Sequence, residues 1–160
     1  GIPMATRCGA LDPGVLLHLL GPKARTLRNL EDMLYHRSGL LGVSSISGDT
    51  RDLLKDERPE AREAIDLFSL RIAGEIGRMT ATLGGLDGIV FTAGIGEHQP
   101  EIRAAICDRL RWLGVALDGE ANTTSASIIS TSASSVATFV IATDEEQIIA
   151  NEALSVLASK

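Results

Sequence analysis

LDGIVFTAGIGEHQPEI, residues 86–102, runs from a buried strand through a glycine turn into a helix, and that order decides the fold class. Ile89, Val90 and Phe91 are consecutive apolar residues, which predicts a strand over 89–92 buried on both faces. Gly94 and Gly96 follow. They begin a G-x-G-x-x-G pattern, but Gln99 stands where the third glycine belongs, and no G-x-x-x-x-G-K-[ST] occurs anywhere in the chain. Pro100 suits the first turn of a helix, with Glu101 near its positive end and Arg109 and Arg111 near its negative end. Ile102, Ile106, Leu110 and Leu113 form its apolar stripe, and Gly114 closes it. Two readings of the turn stand side by side. It is either a loop whose glycines let the backbone approach an anionic ligand, or a strand-to-helix turn that binds nothing.

A second strand is predicted over 136–142, followed by Thr143, Asp144, Glu145 and Glu146. Those carboxylates suit the start of a helix running to about Leu157, whose apolar face is Ile149, Ala153, Val156 and Leu157. They equally suit a hard cation such as Mg²⁺, which takes oxygen ligands. Upstream, Asp12-Pro13-Gly14 opens a helix with Val15, Leu16, Leu19 and Leu20 at helical spacing, stopped by Gly21-Pro22. A second helix covers 27–35, residues 37–48 read as a loop, and Asp49 caps a short helix reaching Leu54.

Pro59 opens the longest element. Ala61, Ala64, Ile65, Phe68, Ile72, Ile76, Met79 and Leu83 recur at helical spacing up to Gly84-Gly85. Gly74 and Gly77 inside it predict close approach of another backbone, because each costs about 1 kcal/mol there relative to Ala. Residues 119–135 read as a loop around a short strand near Ile128-Ile129. Strands that alternate with helices and lack a polar face predict an α/β fold, its central sheet covered by helices on both sides.

The bulk numbers narrow the function classes. The chain has 160 residues, the size of one domain, with 44% hydrophobic and 22% charged residues. A net charge of -6 argues against nucleic acid as a partner, because phosphate backbones need a basic surface. It allows a small anion held by local arginines. Cys8 and Cys107 form no C-x-x-C, and His18, His36 and His98 are scattered, so neither a disulfide nor a zinc site is expected. His18, in an apolar helix, reads as a core-edge histidine and His36 as an exposed one. No apolar run nears the ~18 residues of a membrane span, and no basic-then-apolar signal opens the chain. Gly1 comes first and Met4 is the first methionine, which reads as the start of a fragment. Arg7 reads either as one half of a surface ion pair or as a guanidinium for a phosphoryl group. Asp49-Thr50-Arg51 reads either as a plain helix start or as a contact for a nucleoside, with Arg51 over its ring.

In chain order, MATRCG (4–9), LDPG (11–14), GVS (42–44), SGDTRD (47–52), FTAGIGE (91–97) and TDEE (143–146) resemble the acetate kinase family. The likeness runs through essentially the whole chain, and the T-R-C-G and F-T-A-G-I-G-E strings are specific to the acetate and butyrate kinase group. It implies a ribonuclease-H-like domain of the actin and hexokinase superfamily. It also implies that this is the C-terminal, nucleotide-binding half of a two-domain kinase, without the N-terminal domain that supplies the catalytic aspartate, a histidine and most of the acetate pocket. The implied reaction is reversible, Mg²⁺-dependent transfer of a phosphoryl group from ATP to acetate, giving acetyl phosphate and ADP, with propionate or butyrate as alternative acceptors.

By position, the resemblance assigns Arg7 to the phosphoryl transition state. It assigns Asp49, Thr50 and Arg51, with Gly94, Ile95, Gly96, Glu97 and His98, to the nucleotide, and Glu145 to the magnesium. Thr50 stands where a bulky apolar residue is common, and His98 and Asp144 stand where asparagine is usual. The family also implies a cytoplasmic homodimer paired through this domain, so a mainly dimer-forming role is the reading from another class. The fragment alone is expected to be inactive.

Overall fold

A computed structural model describes residues 1–21 and 26–158, with the side chains of Glu145 and Ala158 outside that description, as is Pro22. Helix α1 (Pro13–Leu19) starts where Asp12 accepts a hydrogen bond from the Gly14 N–H at 2.7 Å, with Pro13 in the first turn. Helix α2 (Leu27–His36) is capped by Thr26, which accepts from Asn29 N–H. Residues 37–48 contain a further helix that the sequence reading took for a loop, α3 (Gly39–Ser44). Helix α4 (Thr50–Lys55) begins at the expected Asp49 cap. Helix α5 (Pro59–Leu83) has the expected bounds, and Gly84 ends it in the left-handed conformation at φ 75°.

Helices α3, α4 and α7 (Pro100–Arg109) all pack on α5. Ala61, Ala64, Phe68 and Ala73 are buried along its inner face with Leu40, Leu53, Ile102, Ile106 and Leu110. The outer half of the predicted α5 stripe emerges into solvent at Met79 and Leu83. No backbone approaches the helix glycines among the described residues. Gly74 faces open space, and Gly77 meets only the Trp112 ring.

Strands β1 (Gly88–Phe91) and β2 (Ala137–Val140) pair in parallel, Gly88 opposite Ala137 and Phe91 opposite Val140. Isolated antiparallel bridges join Ile128 to Phe139 and Leu117 to Ser130, so the predicted short strand near Ile128 extends the sheet as single bridges. Ile89 and Phe91 enter the core while Val90 is 53% exposed, so β1 is buried on one face only. An unbroken apolar run shows that both faces tolerate burial; it does not show what covers the second face.

Between the strands lie α6 (Ala93–His98), α7, a 3-10 turn at Arg111–Leu113 and α8 (Gly119–Thr123). Neither α6 nor α8 was predicted. Helix α9 (Glu145–Ala158) ends the chain, and every side chain described in it is exposed, including Ile149, Val156 and Leu157. Its apolar face is therefore real but unpartnered among the described residues. The same holds for Leu17 and Leu20 at α1, where His18 is exposed and not at a core edge.

Candidate functional site

Parallel pairing puts the C-terminal ends of β1 and β2 at one edge of the sheet, and in α/β sheets that edge is where ligands bind. The turn after β1 is shaped by Thr92, Ala93 and two glycines. Thr92 is extended, then Ala93 takes a positive φ of 57°, uncommon for a residue with a Cβ, and the chain enters α6 at once. The two glycines have different jobs. A Cβ on Gly96 would lie 3.1 Å from the carbonyl carbon of Phe91, so Gly96 lets α6 fold back over the strand end. Gly94 has nothing within 4 Å and faces an open cleft. A side chain at Gly96 is thus excluded by packing within the chain, whereas Gly94 lines the cleft. The helix dipole nearest the turn is that of α6, since Pro100 starts only the next helix.

That cleft encloses about 640 Å³ and is lined by Ala5, Gly48, Asp49, Thr50, Arg51, Gly94, Ile95, His98 and Gln99. The structure thereby brings together two segments about forty residues apart, both marked as site residues from sequence. Asp49 caps α4 through the Arg51 N–H at 2.8 Å. Its carboxylate is also gripped by the Arg51 side chain, through Nε at 3.0 Å and a terminal nitrogen at 2.5 Å. The Arg51 side-chain hydrogen bond, followed by its backbone N–H, lowers the Asp49 pKa to about 2. Arg51 is exposed even while it pairs with Asp49. Thr50 is buried and contributes a wall. Gln99, also buried, leaves its Oε1 without a hydrogen-bond partner among the described residues.

Glu97 links the two strand ends. Its Oε1 accepts from the Thr143 N–H at 3.0 Å and from the Thr143 hydroxyl at 3.3 Å. The Thr143 backbone N–H is the main cause that holds the Glu97 carboxyl below its usual range. Beyond Thr143, Asp144 caps α9 by accepting from the Gln147 N–H at 2.8 Å. Asp144 and Glu146 are exposed oxygen donors, a chemistry that fits Mg²⁺. The Glu145 side chain, marked from sequence as the metal ligand, lies outside the described residues. Among the described residues no group of three or more His, Cys, Asp or Glu is placed to hold a metal ion.

Arg7 does not line the cleft, although Ala5 does. Its guanidinium lies over the Tyr35 ring, 5.5 Å from the centroid. The surrounding segment is held by α3: the N–H groups of Ser38, Leu40 and Leu41 donate to the carbonyls of Thr6, Met4 and Ala5. Gly39 sits among those bonds with φ 61°.

Sequence reasoning missed Arg103. It is fully buried and bonds the carbonyls of Gly96 and Glu97. The available signal was an arginine directly after Ile102 on the buried side of a helix, where a lysine or arginine is unusual without a partner.

A sequence profile of the acetokinase family matches residues 1–151. The chain belongs to that family. Curated acetate kinases include one from Rhodopseudomonas palustris, 54% identical over 94% of this chain, and one from Rickettsia akari, 45% identical over 98%. This acetokinase-family chain spans 38% and 41% of those relatives' lengths. Among solved structures, a propionate kinase from Francisella tularensis superposes with a TM-score of 0.89 at 34% identity, covering 95% of this chain and 40% of that one. A Porphyromonas gingivalis acetate kinase superposes at 0.87 and 34% identity, covering 98% and 41%. The acetokinase chain therefore has the actin and hexokinase type of α/β fold, as expected from the sequence. Among the described residues no helix is long and apolar enough to cross a membrane.

Proposed function

We propose that this chain is the nucleotide-binding part of an acetate kinase, a protein that transfers a phosphoryl group reversibly between ATP and acetate. The observation that carries the reading is the convergence of Asp49–Arg51 and Gly94–His98 on one cleft. Those two segments are also the ones that the family resemblance assigns to nucleotide. The cleft's size falls within the range for small-molecule sites, about 300–1,000 Å³.

The residues divide the work as follows. Asp49, held ionised, accepts hydrogen bonds from a sugar hydroxyl while Arg51 swings across the base. Ile95 and Thr50 supply wall, and Gly94 lets the phosphates approach the backbone. His98 borders the same space and offers a side-chain contact. Glu97 holds the β2 end against the β1 end, which keeps the segment after Thr143 close to the glycine turn. Glu145, with Asp144 and Glu146 beside it, would hold Mg²⁺, which would supply charge to neutralise phosphate oxygens. Arg7, always protonated and able to fork onto two oxygens, leaves Tyr35 to stabilise charge on the moving phosphoryl group. Closure against a further domain that brings the acceptor excludes water and so suppresses hydrolysis. The 160 residues then form one domain, the C-terminal half of a cytoplasmic homodimeric kinase.

The propionate kinase likeness is the observation that favours a second acceptor, and the family resemblance implies that most of the acyl pocket belongs to a further domain. Calorimetric titration of the folded 160-residue chain with Mg-ADP tests the binding claim. Saturable binding supports it, and silence at millimolar ligand overturns it. Assaying the full-length protein with acetate, propionate and butyrate identifies the acceptor. Acetate kinase turnover by the 160 residues alone would refute the need for a second domain.

A further inference from the structure

Arg103 is the one charged side chain that is fully buried among the described residues. A guanidinium has five N–H donors, and here all of them are used. Nε donates to Asn122 Oδ1 at 2.8 Å. One terminal nitrogen donates to the carbonyls of Gly96 at 2.8 Å and Glu97 at 3.0 Å. The other donates to the Asn122 carbonyl at 2.5 Å and to Ser125 Oγ at 3.0 Å. Two further bonds brace the arrangement: Ser125 Oγ donates to the Glu97 carbonyl at 3.1 Å, and Asn122 Nδ2 donates to the Pro100 carbonyl at 2.9 Å. Ser125 reaches its place with a left-handed φ of 51°.

Every one of these acceptors is neutral. A buried charge ordinarily needs a counter-ion, and where only packing is at stake an apolar side chain serves as well or better. This guanidinium instead directs its bonds to the last turn of α6, to α8 and to Ser125 just after it, with its positive charge against the carbonyls of Gly96 and Glu97. A neutral side chain could bond the same carbonyls, but it would add no positive potential where an anion is to sit.

We infer that Arg103 is a positioning residue for the phosphate groups of the nucleotide: it clamps Gly96 and Glu97 to Asn122 and Ser125, holds the Gly94–Glu97 backbone in one conformation, and places behind it a positive charge bonded only to neutral acceptors. The inference rests on the reading that this loop takes nucleotide phosphates. It makes Arg103 sensitive to the phosphates and indifferent to the nucleoside, whose contacts come from Asp49 and Arg51.

The test uses the full-length protein and its Arg103→Lys variant, with ADP and adenosine titrated separately and amide exchange followed through residues 94–98. Lysine keeps the charge but cannot fork across the carbonyls and Asn122. The expected result is a loss of about tenfold in ADP affinity, adenosine affinity unchanged within about twofold, and faster exchange confined to the loop. A merely structural role would weaken both ligands together. An unchanged ratio of ADP to adenosine affinity, or unchanged exchange in the loop, overturns the inference while leaving the nucleotide reading intact. If the parent protein shows no preference for ADP over adenosine, the phosphate reading itself fails and the inference falls with it. Should Arg103→Lys not fold, Ser125→Ala decides. It removes one acceptor and the brace to Glu97, and it is expected to lower the ratio by about threefold with faster loop exchange; no change in either overturns the inference.

Discussion

Replacing Gly39 by alanine is expected to unsettle the segment that carries Arg7, and the size of the effect follows from two features. Gly39 has φ 61°, and a Cβ there would lie 2.1 Å from the Met4 carbonyl oxygen and 2.8 Å from that of Arg7. The left-handed conformation alone costs a residue with a Cβ about 1–2 kcal/mol. Driving two backbone carbonyls aside adds about 1–3 kcal/mol, as other forced expansions of packed sites do. The sum, about 2–5 kcal/mol, is a large part of the 5–15 kcal/mol that typical domains possess. Both carbonyls at risk hold residues 4–7 in place: Met4 O accepts from Leu40 N–H and Arg7 O from Met4 N–H, each at 3.0 Å, beside the Leu41 N–H bond to Ala5 O. Urea unfolding measures the loss, and hydrogen exchange at Leu40 and Leu41 reports whether those anchors open. Gly74→Ala is the control. Gly74 lies inside α5 facing open space, so the added methyl meets nothing and should stabilise the helix by about 1 kcal/mol. A Gly39→Ala variant within about 0.5 kcal/mol of the parent, a size usual for changes at featureless surface sites, would refute the reasoning. A Gly74→Ala variant that is less stable would show that something covers that face in solution, as a second copy would.

Two further outcomes concern titration. Burial pushes the Cys107 thiol from 9.0 to about 11. Because the folded value is raised, this contribution is complete below pH 9 and is lost as pH rises towards 11, amounting to about 3 kcal/mol. A thiol reagent at pH 8 should label the half-buried Cys8 and spare Cys107 until the chain unfolds; equal labelling rates would contradict this. The Asp49 carboxyl should titrate near pH 2 by NMR, since Arg51 bonds its ionised form. Its folded value is depressed, so the contribution of the Asp49–Arg51 pair is present above the ordinary carboxylate pKa and is lost as pH falls through about 2. An ordinary midpoint near 4 would show that the pair does not persist in solution.

Much of the fold was legible because its signals are local. Asp12 and Asp49 cap the helices they were expected to cap, and α5 has the bounds marked by Pro59 and Gly84. The missed helices, α3, α6 and α8, are five or six residues long, too short for an apolar period to show. Ala93 hid α6 further, since nothing in its identity announces a left-handed conformation. Within the site, Gly94 was legible as an open position. The packing of Gly96 against Phe91 was not legible, because the two meet only when the helix folds back.

By itself the sequence determined the family, the caps, the long helix and the identity of the two segments that meet at the cleft. Each depends on residues close together in the chain or on strings specific enough to match as strings. Only the tertiary structure decided that Val90 is exposed, that Arg7 stacks on Tyr35 outside the cleft, that Glu97 reaches Thr143 and that Arg103 bonds Asn122. These are contacts between residues 19 to 46 positions apart, and for Val90 the cover over a second sheet face. Local propensity and periodicity contain no term for either, because which surfaces meet is set by the packing of the whole chain.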